Sequence, residues 1–158
     1  MILPDKAIQI IETWRLGFVA TVAPNGTPNV SPKGTFVVLN QKSVAFGEMN
    51  SPNTVRNIRN QKQVEVNFVD ILSRRGLRLR GDARIIDTQN EWYPKLIPNF
   101  EGLWDQELIA KFRAIVLIEV STFRQLITPA YDLGASETDF RKMWKDKIAA
   151  MPDEVQQA

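Results

Sequence analysis

The chain of 158 residues contains no cysteine and no histidine. It therefore has no thiol nucleophile, no Ser-His pair and no His or Cys ligand for a metal. Its Asp and Glu residues are not spaced as in a calcium-binding loop, so we expect no metal site. No side chain is identifiable as a catalytic acid or base. If the chain catalyses a reaction, we expect an organic cofactor to supply the reactive group.

Long apolar runs and a strong charge of one sign are also absent. No stretch approaches the ~20 apolar residues that a membrane-spanning helix needs, and the first 16 residues lack the pattern of a signal peptide. A chain without disulfides agrees with a reducing compartment, so we expect a cytoplasmic protein with no membrane partner. The net charge of +2 is too small by itself to indicate nucleic-acid binding.

The hydrophobic content of 44% in 158 residues predicts one domain with a substantial core. We expect an N-terminal helix in residues 1–16, a barrel with inserted helices in 17–126, and a tail with a final helix in 127–158. Apolar residues at spacings of three and four support the first helix, and Ser136 is the predicted start of the last one.

Short β-rich segments separated by turn residues fill the middle of the chain. Pro24-Asn25-Gly26 predicts a tight turn that leads into a returning arm, residues 27–39, which a proline and a glycine interrupt near residues 31–34. Residues 114–120 are apolar apart from Glu119, a run typical of a strand buried on both faces. The pattern predicts about six strands in an antiparallel barrel with flanking helices, an α+β protein that is mainly β.

The segment from Val44 to Arg59 is the best candidate for a binding site. A strand is followed by Ser51-Pro52, which has the residues of a helix start, and helix N-termini attract anions through free N–H groups and the helix dipole. Lys33 would reach the same anion if its strand lies beside this one. The alternatives are that Ser51 only caps the helix and that Lys33 is a solvated surface lysine.

Three sequence runs between Gly17 and Ile85 carry a family resemblance: APNGTPNVSPKG, SPNTVRNIRNQKQVEVNF and RGLRLRGDA. This segment resembles the pyridoxamine 5'-phosphate oxidase-related, FMN-binding split-barrel family, and ITPAYDLGASE near the C-terminus resembles a tail in its short members. The resemblance implies a six-stranded antiparallel split barrel that forms a homodimer. Two FMN molecules would lie in grooves between the subunits.

The resemblance also implies which residues contact the cofactor. Ser51, Asn53 and Thr54 would hold the phosphate, and Arg75, followed by Gly76, would approach from a later strand, within the chain or across the dimer. The flavin would be lined by two neighbouring strands, through Ser31, Pro32, Lys33 and Gly34 on one and Phe46 and Gly47 on the next.

The chain departs from the authentic oxidases at the phosphate turn. It has Pro52-Asn53 where they carry an Arg-Lys pair, so two charge-assisted contacts would be lost unless Lys33, Arg56 or Arg75 replaces them. The oxidases' substrate-binding residues are not recognisable either, so we do not predict vitamin B6 oxidation.

We therefore predict an FMN-dependent oxidoreductase with an unidentified small-molecule substrate. One alternative is a binding module without catalysis, for flavin storage or for single-stranded nucleic acid, which the arginines at positions 74, 78 and 80 would contact. Another is the same barrel with a deazaflavin or haem, although haem lacks a His or Cys ligand here. Glu48, Tyr131 and Asp132 are candidates only for proximity to the site, and the last two would equally serve to dock the tail on its own barrel.

Overall fold

The computed structural model describes residues 3–152 and shows one antiparallel sheet flanked by helices. The strands lie in the order β2-β1-β5-β6-β7-β4-β3. Their bounds are β1 Gly17–Val22, β2 Pro28–Lys33, β3 Phe36–Asn40, β4 Ser43–Glu48, β5 Gln63–Asp70, β6 Arg75–Asp87 and β7 Ala114–Ile127. The α-helices are α1 Asp5–Trp14, α2 Pro52–Asn60, α3 Tyr93–Leu96, α4 Gln106–Ile109 and α5 Glu137–Ala149, with 3₁₀ turns at Ile97–Asn99 and Pro129–Tyr131.

The sheet has seven strands in the described chain, one more than the sequence predicts, because the arm of residues 27–39 divides in two. Its first half, β2, pairs with β1, while its second half, β3, pairs with β4 at the other end of the strand order. Lys33 is the last residue of β2, so its strand is not hydrogen-bonded to β4. A proline within β2 and a glycine just after it both weaken a continuous ladder, which explains why the arm breaks there.

Two apolar clusters fill the space around the sheet. The larger one lies under α1 and contains a group of three phenylalanines, with the Phe36 ring centroid 5.1 Å from that of Phe46 and 4.8 Å from that of Phe68. The smaller one is built around Phe100 and Phe112. Alternate residues of β3 and β4 point into the two clusters, so β4 is buried on both faces.

The predicted strand at residues 114–120 is part of a longer one. β7 runs from Ala114 to Ile127, and it pairs with β4 through its first half and with β6 along nearly its whole length. Most of residues 114–118 are buried, but the second half of β7 is largely open to solvent. The apolar run therefore marks only the part of β7 that is covered on both faces.

Several polar contacts dock the C-terminal helix and the tail before it on the turn between β5 and β6. Arg141 Nη2 lies 2.6 Å from Asp70 Oδ2, and Arg75 Nε lies 3.1 Å from Glu137 Oε2. The Tyr131 hydroxyl donates to the Ser73 carbonyl at 2.5 Å. Tyr131 thus ties the tail to the barrel of its own chain. As predicted, Ser136 is the N-cap of this helix, and its hydroxyl oxygen accepts from the N–H of Asp139.

Replacing Gly81 by alanine should destabilise the fold by about 2 to 3 kcal/mol, because overpacking carries costs of that order. Gly81 lies at a register shift between β6 and β7, and a Cβ there would lie 2.2 Å from the backbone oxygen of Glu119. Gly34→Ala is the matched control, since its Cβ would meet nothing within 4 Å. Urea unfolding measures both changes, and equal midpoints for the two variants would contradict the packing argument.

The attachment of α5 to the barrel should depend on pH, because Arg141 of α5 pairs with the carboxylate of Asp70. Burial alone would raise the pKa of Asp70, but hydrogen bonds from the Ser73 hydroxyl and the N–H groups of Leu72 and Ser73, together with the charge of Arg141, lower it. A carboxylate with a lowered pKa in the folded state stabilises the fold above the unfolded value of about 3.9. That contribution is lost as the pH falls through the folded value.

We therefore expect the gap in melting temperature between wild type and Asp70→Asn to be complete at neutral pH and to shrink below about pH 4. Circular dichroism at a series of pH values measures this gap. Asp132→Asn removes an exposed carboxylate outside the ion-pair cluster and is the control. A gap between wild type and Asp70→Asn that stays constant down to pH 2.5 would exclude the proposed role of the carboxylate.

Candidate cofactor site

The N-terminus of α2 has no side-chain cap within the described chain. Ser51 stands at the N-cap position, but its hydroxyl donates to Glu48 Oε1 at 2.7 Å, and its N–H donates to the same oxygen. The first turn of α2 contains no acidic residue, and Pro52 has no N–H to offer. The N–H groups of Asn53 and Thr54 therefore lack a side-chain acceptor at the positive end of the helix dipole, where an anion is favoured.

Lys33 supplies a half-buried cation on the same side of the barrel. Its Nζ donates to Ser31 Oγ at 2.6 Å and lies 6.0 Å from the ring centroid of Phe46. Burial lowers the pKa of Lys33, and the charge of Glu48 partly opposes this. In the described chain no carboxylate oxygen lies within 4.0 Å of its Nζ. A bound anion would therefore stabilise the charged form of Lys33.

A buried network of hydroxyl and amide groups holds α2 on the sheet. Thr21 Oγ1 accepts from Asn57 Nδ2 at 3.0 Å and from Asn29 Nδ2 at 3.1 Å. Asn29 Nδ2 also lies 3.4 Å from Thr54 Oγ1. The buried Asn57 Oδ1 has no partner within the described residues. This network fixes the first turns of α2 relative to β2.

Sequence reasoning missed Asn29, Thr21 and Asn57. Asn29 could have been found from the sequence, because it alternates with Ser31 and Lys33 along β2. It therefore lies on the face of β2 that carries those two residues. Asn57 follows Thr54 by three residues and precedes Ile58, so it lies on the inward face of α2. Thr21 carries no comparable signal in the sequence.

The remaining residues of the predicted flavin groove differ in exposure. Phe46 is fully buried in the core, and the backbone of Gly47 exchanges two hydrogen bonds with the Thr35 hydroxyl, at 3.0 and 3.1 Å. A Cβ on Gly47 would lie 2.2 Å from the Phe112 ring, so packing requires glycine there. Pro32 and Gly34 are exposed. Phe46 and Gly47 thus belong to the packed floor, whereas Gly34 lies at an open edge.

Within residues 3–152, Arg75 contacts the tail, and none of its hydrogen bonds or ion pairs there involves the first turn of α2. Besides its ion pair with Glu137, its guanidinium lies 4.3 Å from the centroid of the Tyr131 ring. A contribution of Arg75 to a cofactor site in another subunit stays a prediction. Asn53 lies at the start of α2, where its Oδ1 accepts from the exposed Arg56 side chain at 3.1 Å.

The arginine-rich strand β6 is largely neutralised by its neighbours. Arg80 pairs with Glu65 at 2.5 Å, Arg84 pairs with Glu119 at 3.0 Å, and Arg78 donates to the Asn67 side chain. These contacts leave little unpaired positive charge along the strand. A continuous basic face of the kind that binds nucleic acid is therefore not favoured there.

The described residues were also compared with the requirements of a membrane-spanning helix and of a metal site. Between residues 3 and 152, no helix is both long enough and apolar enough to cross a membrane. The same part of the chain holds no group of three or more His, Cys, Asp or Glu side chains placed to bind a metal ion.

The fold is an antiparallel split barrel, and the N-terminus of α2 next to β4 has no side-chain cap in the described chain. A family model described as "Pyridoxamine 5'-phosphate oxidase" matches residues 3–126, and the chain belongs to this family. The match extends the resemblance seen between Gly17 and Ile85 in both directions. It confirms the predicted fold family, with seven strands in the described chain in place of six.

Solved structures show the same fold. HupZ from Group A Streptococcus is 26% identical, with a TM-score of 0.69 over 80% of this chain and 96% of that chain. An F420 reductase is 25% identical, with a TM-score of 0.59 over 77% and 98%. An FMN-binding protein from Syntrophomonas wolfei is 11% identical, with a TM-score of 0.64 over 78% and 86%, and this likeness concerns the fold alone. No curated protein sequence matches the chain significantly.

Removing the amide of Asn57 should destabilise the fold by about 1 to 3 kcal/mol, because Asn57→Ala takes away a buried donor to Thr21. Asn53→Ala is the control on the same helix, since Asn53 is exposed and bonds only to the Arg56 side chain. Chemical denaturation compares the two variants. Equal stabilities would show that the network does not hold α2.

Proposed function

We propose that the corner between β4 and α2 binds the phosphate of FMN. The observation that carries the proposal is the uncapped N-terminus of α2. Lys33 lies close enough to Glu48, the carboxylate that Ser51 contacts, for the charge of Glu48 to raise the pKa of Lys33 against the effect of burial. Family membership supports a phosphate-bearing cofactor over a simple inorganic anion. Helix N-termini and half-buried lysines both favour phosphate, through N–H groups and charge respectively.

The residues present fit such a phosphate, although two cations of the authentic oxidases are replaced. The N–H groups of Asn53 and Thr54 offer donors that need no positive charge, and the hydroxyl of Ser51 offers a third if it leaves Glu48. Lys33 supplies one charge, and Arg56 supplies a second if it leaves Asn53. Binding that relies on fewer cations should be weaker than in the oxidases.

The proposed activity is that of an FMN-dependent oxidoreductase acting on a small molecule. The bound flavin would supply hydride or electron transfer, while the chain's own residues bind and orient it. Ser31, Pro32 and Gly34 would line the ring system beside the floor made by Phe46 and Gly47. We keep the prediction of a cytoplasmic homodimer as part of this proposal, with Arg75 approaching the cofactor of the partner subunit.

A deazaflavin is the second candidate cofactor, because an F420 reductase shares the fold at 25% identity over 77% of this chain. Haem in the same barrel and flavin storage without catalysis remain alternatives from the sequence, and haem lacks a His or Cys ligand. Binding of single-stranded nucleic acid is not favoured, because carboxylates neutralise much of the arginine strand.

Lys33→Gln should weaken FMN binding at least tenfold, because a hydrogen bond to a charged group contributes about 1.5 to 3 kcal/mol. Lys42→Gln, which removes an exposed lysine at the β3–β4 turn, is the matched control. Quenching of flavin fluorescence measures both dissociation constants. Wild-type protein that neither quenches FMN nor gains melting temperature in its presence would overturn the proposal.

Gly34→Ala should impair FMN binding without lowering the stability of the free protein. Its Cβ would meet no atom of the described chain within 4 Å, so the steric conflict that we expect is with a bound cofactor. Flavin titration and melting temperature are measured on the same preparation. Unchanged binding by this variant would remove Gly34 from the groove, and an absorption spectrum of reconstituted protein separates FMN, deazaflavin and haem.

A further inference from the structure

Glu48, the last residue of β4, is a carboxylate that the fold buries beside the N-terminus of α2. Only 4% of the residue is exposed, and no Lys or Arg nitrogen of the described chain lies within 4.0 Å of its carboxylate. Burying a charge without an ionic partner costs free energy, and glutamate is seldom buried in this way. Packing alone therefore does not account for a carboxylate at this position.

The contacts of Glu48 do not require its charge. Both hydrogen bonds that its carboxylate accepts within residues 3–152 come from Ser51, whose hydroxyl donates to Oε1 at 2.7 Å and whose N–H donates to the same oxygen. The amide oxygen of a glutamine in the same place could accept both of these bonds. The negative charge is thus not needed to hold the start of α2.

The charge of Glu48 lies next to the proposed phosphate site. The phosphate would accept from the N–H groups of Asn53 and Thr54, which follow Ser51 by two and three residues. Because one helical turn rises about 5.4 Å, the carboxylate and the phosphate would lie about one turn apart. Two like charges at this spacing repel each other where water is partly excluded. The charge of Glu48 already acts beyond contact distance, since it raises the pKa of Lys33 against the effect of burial.

We propose that Glu48 is a specificity-determining residue of this corner, which lowers the affinity for a phosphate group more strongly the more negative charge that group carries. A phosphomonoester, with a charge of about −1.5 to −2 at pH 7, is disfavoured most, and a phosphodiester with a single charge is disfavoured less. Pro52-Asn53 acts in the same direction, because this turn supplies no cation to oppose the carboxylate. This role of Glu48 rests on the proposed function, because it concerns the phosphate that the same corner binds.

The test compares three flavins that share one ring system and differ in phosphate charge. Riboflavin has no phosphate, riboflavin 4',5'-cyclic phosphate is a singly charged diester, and FMN is a monoester. Quenching of flavin fluorescence gives their dissociation constants for the full-length protein in phosphate-free buffer. Glu48→Gln removes the charge and keeps an acceptor for Ser51, whereas Glu48→Asp keeps the charge on a shorter side chain. Glu91→Gln is the matched control, because Glu91 is exposed and forms no ion pair in the described chain.

We expect Glu48→Gln to tighten FMN binding about tenfold and binding of the cyclic phosphate about threefold, since the repulsion grows with the charge of the ligand. Riboflavin has no phosphate to repel, so its dissociation constant should change less than about twofold. Glu48→Asp should tighten none of the three. Glu91→Gln should leave all three dissociation constants within about twofold of wild type, because an exposed and distant charge is screened.

If wild type binds FMN and Glu48→Gln binds it no more tightly, the role of Glu48 is overturned and the proposed function stands. An equal gain for riboflavin, or an equal gain in Glu48→Asp, would overturn that role as well, because neither follows from charge. If neither wild type nor Glu48→Gln quenches any of the flavins, both proposals fail. All three ligands are titrated into one preparation of each variant, so a lower folded fraction affects them equally.

Discussion

The candidate site depends on the two hydrogen bonds that join the Thr35 hydroxyl to the backbone of Gly47. They tie the start of β3 to the end of β4 at the point where the chain leaves β2. Lys33 comes two residues before Thr35, with its Nζ 6.0 Å from the centroid of the Phe46 ring, and Glu48 follows Gly47 directly in β4. Because Glu48 engages Ser51, the first turn of α2 is left without a side-chain cap. The contact between Thr35 and Gly47 therefore lies close in the chain both to Lys33 and to the N-terminus of α2.

Some basic residues of the described chain are paired with carboxylates, and others are not. Along β6, arginines such as Arg80 and Arg84 face carboxylates and contribute little net field. Lys33 and Arg74, by contrast, have no carboxylate within ion-pair distance in the described chain. Cations that the fold leaves unpaired can stabilise a bound anion, whereas paired ones first have to break an existing contact. Other cations such as the exposed Lys42 also lack an ion pair in the described chain, so it is half-burial, as at Lys33, that separates a candidate site from ordinary surface.

The sequence predicted those parts of the fold that local patterns determine. Apolar spacing located α1, and the Ser136 cap located the start of α5. The division of residues 27–39 between opposite ends of the strand order was not predictable, because strand pairing depends on distant partners. The family motifs indicated the phosphate corner, but the Glu48 contact of Ser51 and the engagement of Arg75 by the tail are tertiary contacts with no sequence signal.

The C-terminal helix contains no fully buried residue, and ion pairs with Asp70 and Arg75 contribute to its attachment. Contacts of this kind weaken as salt screens the charges, whereas the packing of the phenylalanine core does not. We therefore expect the helix to open locally, so that its amide hydrogens exchange with solvent while the sheet stays closed.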